Sequence, residues 1–232
     1  MTILRKSEER GLVDFGWLES YHTFSFGDYY DPEWMNYRSL RVINTDRVGP
    51  GAGFPTHPHR EMEILTYMLE GELAHKDSMG NGSTIRPGDV QRMSAGTGLT
   101  HSEFNPSNTN EAKLLQIWLM PAQRGLPPSY EQTAFEPSEF QNALRLVASP
   151  DGADGSVTIH QDARIYASKL DAGASVSHRT DPARGLWLQL IEGEVEANGT
   201  RLKNGDAAAF EETSELQIAT LAPSHFLLFD LA

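Results

Sequence analysis

Two short segments carry the residues best able to do chemistry. His57-Pro58-His59 and His101-Ser102-Glu103 each place two metal-ligating side chains two positions apart. In an extended strand, residues i and i+2 point to the same face. If the two segments are neighbouring strands, three imidazoles and one carboxylate converge. Three nitrogen donors and one oxygen suit Fe(II), Mn, Ni, Cu or Zn. Such a set can leave positions open for water or substrate, as catalytic sites do and closed structural sites do not. The other histidines, His22, His75, His160, His178 and His225, stand singly and read as ordinary surface or hydrogen-bonded core residues.

The elements that must position these segments are strands. Apolar runs recur at 39–43, 63–69, 113–119, 186–191, 216–221 and 225–231, each bounded by Gly, Pro, Asn or Asp. Short strands punctuated in this way predict an all-β sandwich or barrel. The halves of the chain also echo one another. Leu69-Glu70-Gly71-Glu72-Leu73 follows a strand in the first half, and Ile191-Glu192-Gly193-Glu194-Val195 follows one in the second. Pro87-Gly88-Asp89 and Asn204-Gly205-Asp206 come next. The offsets, 122 residues between Gly71 and Gly193 and 117 between Gly88 and Gly205, are half the chain. A strand, a tight turn, a returning strand and a second turn are therefore used twice, predicting two related β-domains over 1–135 and 136–232. Between them, Pro121, Pro127 and Pro128 read as a crossing loop, and 137–144 holds a short helical segment.

Composition narrows the classes. With 232 residues, 39% of them hydrophobic, the chain can bury a core as one large domain or two small ones. It has no apolar run long enough to cross a membrane as a helix. Its first nine residues lack a signal-peptide core, so a cytoplasmic protein is expected. With no cysteine there is no disulfide, thiolate nucleophile or Cys-based metal site. A formal net charge of −13 opposes direct binding to nucleic acid or an anionic membrane.

Gly51, His57, His59, Glu63 and Gly71 resemble the first cupin motif, with the last glycine one residue late. Gly88, Gly96, His101 and Asn105 resemble the second, with Ser94 where proline is usual and a longer Gly-to-His gap. Those departures resemble the pirin family of bicupins. Phe24-Ser25-Phe26-Gly27-Asp28, Gly53-Phe54-Pro55-Thr56-His57-Pro58-His59-Arg60, His75-x-Asp77-Ser78-x-Gly80 and Met93-Ser94-Ala95-Gly96 extend the likeness over nearly all of 10–120. Within that family the chain is similar to the short bacterial pirin-like proteins described as quercetin 2,3-dioxygenases. The resemblance implies two cupin-type β-barrels packed together, with His57, His59, His101 and Glu103 as ligands of one divalent metal ion, Fe(II) favoured. Glu63 fills a slot from which other cupins take a ligand. Its alternative role is to accept an N–H from a ligand histidine. Shifting the ligand positions into the second half finds His178 but otherwise Thr180, Ile218 and Thr220, so that barrel is expected to be metal-free.

The function implied is cleavage of a flavonol such as quercetin, with O2 consumed and carbon monoxide released. The partners are then a flavonol or related enol and O2. Glu103 would accept the 3-hydroxyl proton, and Phe54, Met93 and Phe104 would supply apolar walls. Two other readings stay open. One is a metal-dependent regulatory protein resembling a transcription cofactor, with a protein partner and no turnover. The other is a different metal-cupin reaction.

Overall fold

The computed structural model describes residues 1–232 and is built from strands, with 3₁₀ turns at Ser7–Glu9, Pro137–Phe140 and Ala153–Gly155. The strands group into two units. One comprises 11–135 and 157–161, the other 1–10, 136–156 and 162–232. These are not the two contiguous stretches that the sequence suggests, and backbone pairing is the reason. Strand Thr2–Arg5 pairs with Ala207–Phe210, which places the N-terminus in the second unit, with Arg5 buried there. In the other direction, Thr158 N donates to Glu131 and Arg92 Nε donates to the Thr158 carbonyl, tying 157–161 into the first unit.

The first unit contains two sheets. Seven strands run in the order Ser129–Ala134, Asp89–Ser94, Glu63–Glu70, Ala112–Leu119, Leu40–Val48, Leu18–His22, Gly11–Asp14. Four others run Gly53–His59, Leu99–Phe104, Leu73–Asp77, Gly82–Ile85. Val48, Met68 and Leu114 from the larger sheet share a buried cluster with Leu73 and Ile85 from the smaller one. The ladders form two sheets over a common core, a cupin-like arrangement, and do not close into one hydrogen-bonded ring. Asp89–Ser94 is buried along its whole length, as expected of a strand covered on both faces.

In the second unit, Gly185–Ala197 and Glu215–Leu231 pair along most of their lengths and enclose Leu188, Leu190, Leu216, Phe226 and Leu228. The expected strands at 216–221 and 225–231 are one strand here, carried past Pro223 by register shifts in the ladder. The repeated glycines have a common cause. Gly71 and Gly193 have φ of 72° and 94°, a region that side chains disfavour. A Cβ there would lie 2.5 Å from the Glu111 carbonyl oxygen and 2.3 Å from that of Pro223, respectively.

Gly53 sets how closely the strands of the smaller sheet approach. A Cβ at Gly53 would lie 2.2 Å from the Glu103 carbonyl oxygen and 2.5 Å from Phe104 Cα. Just beyond, the buried Asn105 side chain donates to the carbonyls of Val48 and Asn110 and ends the strand. Gly53→Ala is expected to cost about 1–3 kcal/mol through overpacking, read by denaturant titration. Gly82→Ala, whose Cβ would meet only the His75 carbonyl at 3.8 Å, is the control and should be near neutral.

Candidate metal centre

Strand Leu99–Phe104 lies between Gly53–His59 and Leu73–Asp77, and its register assembles the site. On one edge, Leu99 faces His59 and His101 faces His57. On the other, His101 faces Asp77 and Glu103 faces His75. The register shifts between His101 and Glu103, so Glu103 falls opposite Phe54. Directly opposed residues in an antiparallel pair bring their side chains within contact. The imidazole centroids of His57, His59 and His101 lie 4.7, 4.5 and 4.8 Å apart as pairs. Their ring nitrogens lie within 4.8 Å of one another.

The protonation pattern follows from the neighbours. His57 Nδ1 is 2.8 Å from the Pro55 carbonyl, which only accepts, so Nδ1 carries a hydrogen and, in the neutral ring, Nε2 holds the lone pair. That Nε2 is 3.0 Å from His101 Nε2. Burial, helped by the charge of His57, lowers the His59 pKa to about 4. Burial likewise holds His101 far below the usual histidine range, with His57 and His59 adding to the effect. His59 and His101 are therefore ready to act as neutral donors. Two imidazole nitrogens bound about 2.1 Å from one ion at a right angle lie about 3.0 Å apart, the spacing seen between His57 and His101. The residues fit a divalent metal.

Glu103 is placed differently. It is buried, with Oε2 accepting from Gln116 Nε2 at 3.2 Å and Oε1 near Thr66 Oγ1 at 3.5 Å. Its carboxylate groups with His101 and His75 instead of with all three histidines. Burial pushes its pKa up to about 7; the Gln116 hydrogen bond opposes this and the nearby Asp46 charge adds to it.

A cavity of about 410 Å³ opens on His57, His59 and Glu103 and is walled by Phe26, Phe54 and Trp118. Trp118 stands edge-on to His59 at 5.0 Å and to Phe26 at 5.2 Å. Asn44, Asp46 and Gln116 supply polar atoms. Of the three apolar residues expected at the walls, only Phe54 lines this cavity. Met93 is sealed in a core cluster with Ile64 and Leu99, and Phe104 is 39% exposed.

One expectation is corrected. Glu63 does not accept from His57, His59 or His101. Its Oε2 takes hydrogen bonds from Ser94 Oγ at 2.8 Å and His160 N at 3.1 Å, so it anchors the 157–161 segment. His75 is a hydrogen-bonded core histidine, as expected, and one of its partners is His101, whose Nδ1 lies 3.4 Å from its own. The signal for both was pairing, which no local pattern contains. Asn44, Asp46 and Gln116 were more legible, as polar residues on alternate positions of apolar strands. In the second unit, His178 lies opposite Leu216, and its Nε2 meets Asp230 Oδ2 at 2.7 Å.

Known proteins resemble this chain over its whole length. The pirin family description matches residues 4–119. That of a quercetinase C-terminal cupin domain matches 146–231. Quercetin 2,3-dioxygenase of Escherichia coli K12 is 46% identical over 231 residues, covering 100% of this chain and 99% of that protein. The crystal structure of the bacterial pirin YhhW from Escherichia coli in complex with nickel(II) is similar at a TM-score of 0.95 and 46% identity. That match covers 100% of this chain and 99% of YhhW. Oxalate decarboxylase of Lactobacillus farciminis shares the fold alone, at a TM-score of 0.68 and 11% identity over 98% of this chain and 85% of that one. By full-length similarity and by both family matches, this chain belongs to the pirin family.

Proposed function

We propose that this chain is a metal-dependent dioxygenase that cleaves flavonols such as quercetin. In this reading His57, His59, His101 and Glu103 hold one divalent ion, Fe(II) first among Mn, Ni, Cu and Zn. The observation that carries it is the 3.0 Å approach of two imidazole Nε2 atoms beside an aromatic cavity of about 410 Å³. That volume is within the roughly 300–1,000 Å³ usual for small-molecule sites. The Escherichia coli relative named for this activity and the nickel(II) complex of YhhW support the same reading.

A bound divalent ion would supply the positive charge that stabilises a deprotonated 3-hydroxyl. The chain's own residues do the rest. Phe26, Phe54 and Trp118 flank a planar polyphenol and keep water from its reacting ring. Glu103 accepts the 3-hydroxyl proton, because its carboxylate opens on the cavity beside the imidazoles and an acid–base group must stand within reach of the proton it takes. Gln116 and Thr66 hold its two oxygens and fix the plane of the carboxylate. O2 is the second substrate, and the products are a depside and carbon monoxide.

Metal-loaded protein given quercetin should consume O2 and release carbon monoxide together. Glu103→Gln should lower turnover by about 10²–10⁴-fold, while mass spectrometry still finds some metal on the three histidines. A well-metallated parent that consumes no O2 with quercetin contradicts the assignment.

The same carboxyl makes a prediction for metal-free protein. Its pKa rises from 4.5 to about 7 on folding, so the folded chain holds this proton more tightly than the unfolded chain. Stability from this group is therefore full below pH 4.5 and is lost as pH climbs to about 7. The loss is about 3 kcal/mol. Denaturant titrations across that window should show it in the parent and not in Glu103→Gln.

A further inference from the structure

Behind His101 lies a buried chain of donors and acceptors that the proposed chemistry leaves unused. His101 Nδ1 is 3.4 Å from His75 Nδ1, and His75 Nε2 is 3.4 Å from Asp77 Oδ2. Both distances are at the long end of hydrogen bonding. His75 and Asp77 occupy positions i and i+2 of strand Leu73–Asp77, opposite Glu103 and His101. The three side chains are buried, at 1% exposure for His101, 3% for His75 and 8% for Asp77. Asp77 is held in place. Its Oδ1 accepts from the Met79 and Asn81 backbone at 2.9 and 3.0 Å, and its Oδ2 accepts from Asn81 Nδ2 at 2.8 Å. Tyr130 stacks on the His75 ring at 5.0 Å and 26°, with its own hydroxyl against Ser83 and Gln132.

The two ends of the chain dictate where its protons lie. An ionised carboxylate only accepts, so His75 Nε2 carries a hydrogen and His75 Nδ1 a lone pair. That lone pair faces His101 Nδ1, which must then carry a hydrogen. His101 Nε2 is left bare. From the opposite side, the Pro55 carbonyl leaves His57 Nε2 bare. The two bare nitrogens face each other at 3.0 Å, an arrangement that a cation between them resolves.

We infer that Asp77 and His75 are positioning residues that hold His101 as its Nδ1–H tautomer and so present its Nε2 lone pair to a metal ion. The inference rests on the metal site proposed above and is independent of flavonol turnover. It also accounts for the spacing of His75 and Asp77, which the ligand set alone does not require. The rival role for His75 is direct ligation, since its ligand atoms lie within 4.8 Å of those of His101 and Glu103.

The tautomers can be read directly. In full-length, Zn(II)-loaded protein with ¹⁵N-labelled histidine, NMR should find hydrogens on His101 Nδ1 and His75 Nε2, and none on His75 Nδ1. Ni(II) affinity, measured by chelator competition at fixed pH, should fall by roughly 10–100-fold in His75→Leu. Asp77→Asn should move it in the same direction. His75→Gln, whose amide oxygen can take the Nδ1 hydrogen, should restore most of the affinity. X-ray absorption should count the same number of imidazoles around nickel in the parent and in His75→Leu.

The inference is overturned by unchanged nickel affinity in both His75→Leu and Asp77→Asn. It is also overturned by a hydrogen on His75 Nδ1, or by one imidazole lost from nickel in His75→Leu. If His75→Leu fails to fold, the labelled parent and Asp77→Asn still decide. A parent that binds neither nickel nor zinc removes the metal site and this inference together. A parent that binds metal but leaves quercetin untouched removes only the proposed activity.

Discussion

The pairing of Gly53–His59 with Leu99–Phe104 is the constraint on which the site depends. It sets His57 directly across from His101 and turns His59 to the same face. A slip of one residue would send every side chain of one strand to the opposite face and scatter the donors. Several local features hold the register. The bare Cα of Gly53 allows close approach to Glu103 and Phe104, and the irregularity after His101 re-aims Glu103. The side chain of Asn105 ties down the end of the strand.

That pairing also concentrates polar groups where a core would otherwise be apolar. His75, His101, Glu103 and Asp46 are all buried, in a unit whose interior also holds the apolar cluster of Val48, Met68, Leu73 and Ile85. Burying such groups costs free energy unless each finds a partner. Here partners are supplied in layers, with Ser20 on Asp46, Gln116 and Thr66 on Glu103, and Asn81 on Asp77. For Glu103 these hydrogen bonds do not cancel the cost of burial, which still raises its pKa. A cation in front of the histidines acts against the same penalty. In the second unit His178 Nε2 already has a hydrogen-bond partner in Asp230 Oδ2, and the residue across the ladder from it is Leu216. The same strand pattern there is spent on a histidine–carboxylate hydrogen bond.

Much of this was legible in the sequence, because strand periodicity is local. The i, i+2 spacing of His57 with His59 and of His101 with Glu103 carries over directly to one face of a sheet. The Glu-Gly-Glu repeat marks two positions where only glycine fits. What stayed hidden depends on which strand lies next to which. His75 looked solitary because Glu103, its ladder partner, is 28 positions away. Glu63 occupies the motif slot of a ligand, yet it faces Ser94 and His160, the latter 97 residues on. Assignment of 1–10 to the second unit could not be read locally either, since it rests on pairing with Ala207–Phe210.

The central claim is that one metal ion sits where these two strands meet. Anomalous diffraction from crystals of the metal-loaded full-length protein tests it most directly. The account predicts a single full-occupancy peak per chain, bonded at about 2.0–2.2 Å to the imidazoles of His57, His59 and His101 and to the Glu103 carboxylate. A principal peak at His178 and Asp230, or two full peaks per chain, would contradict it.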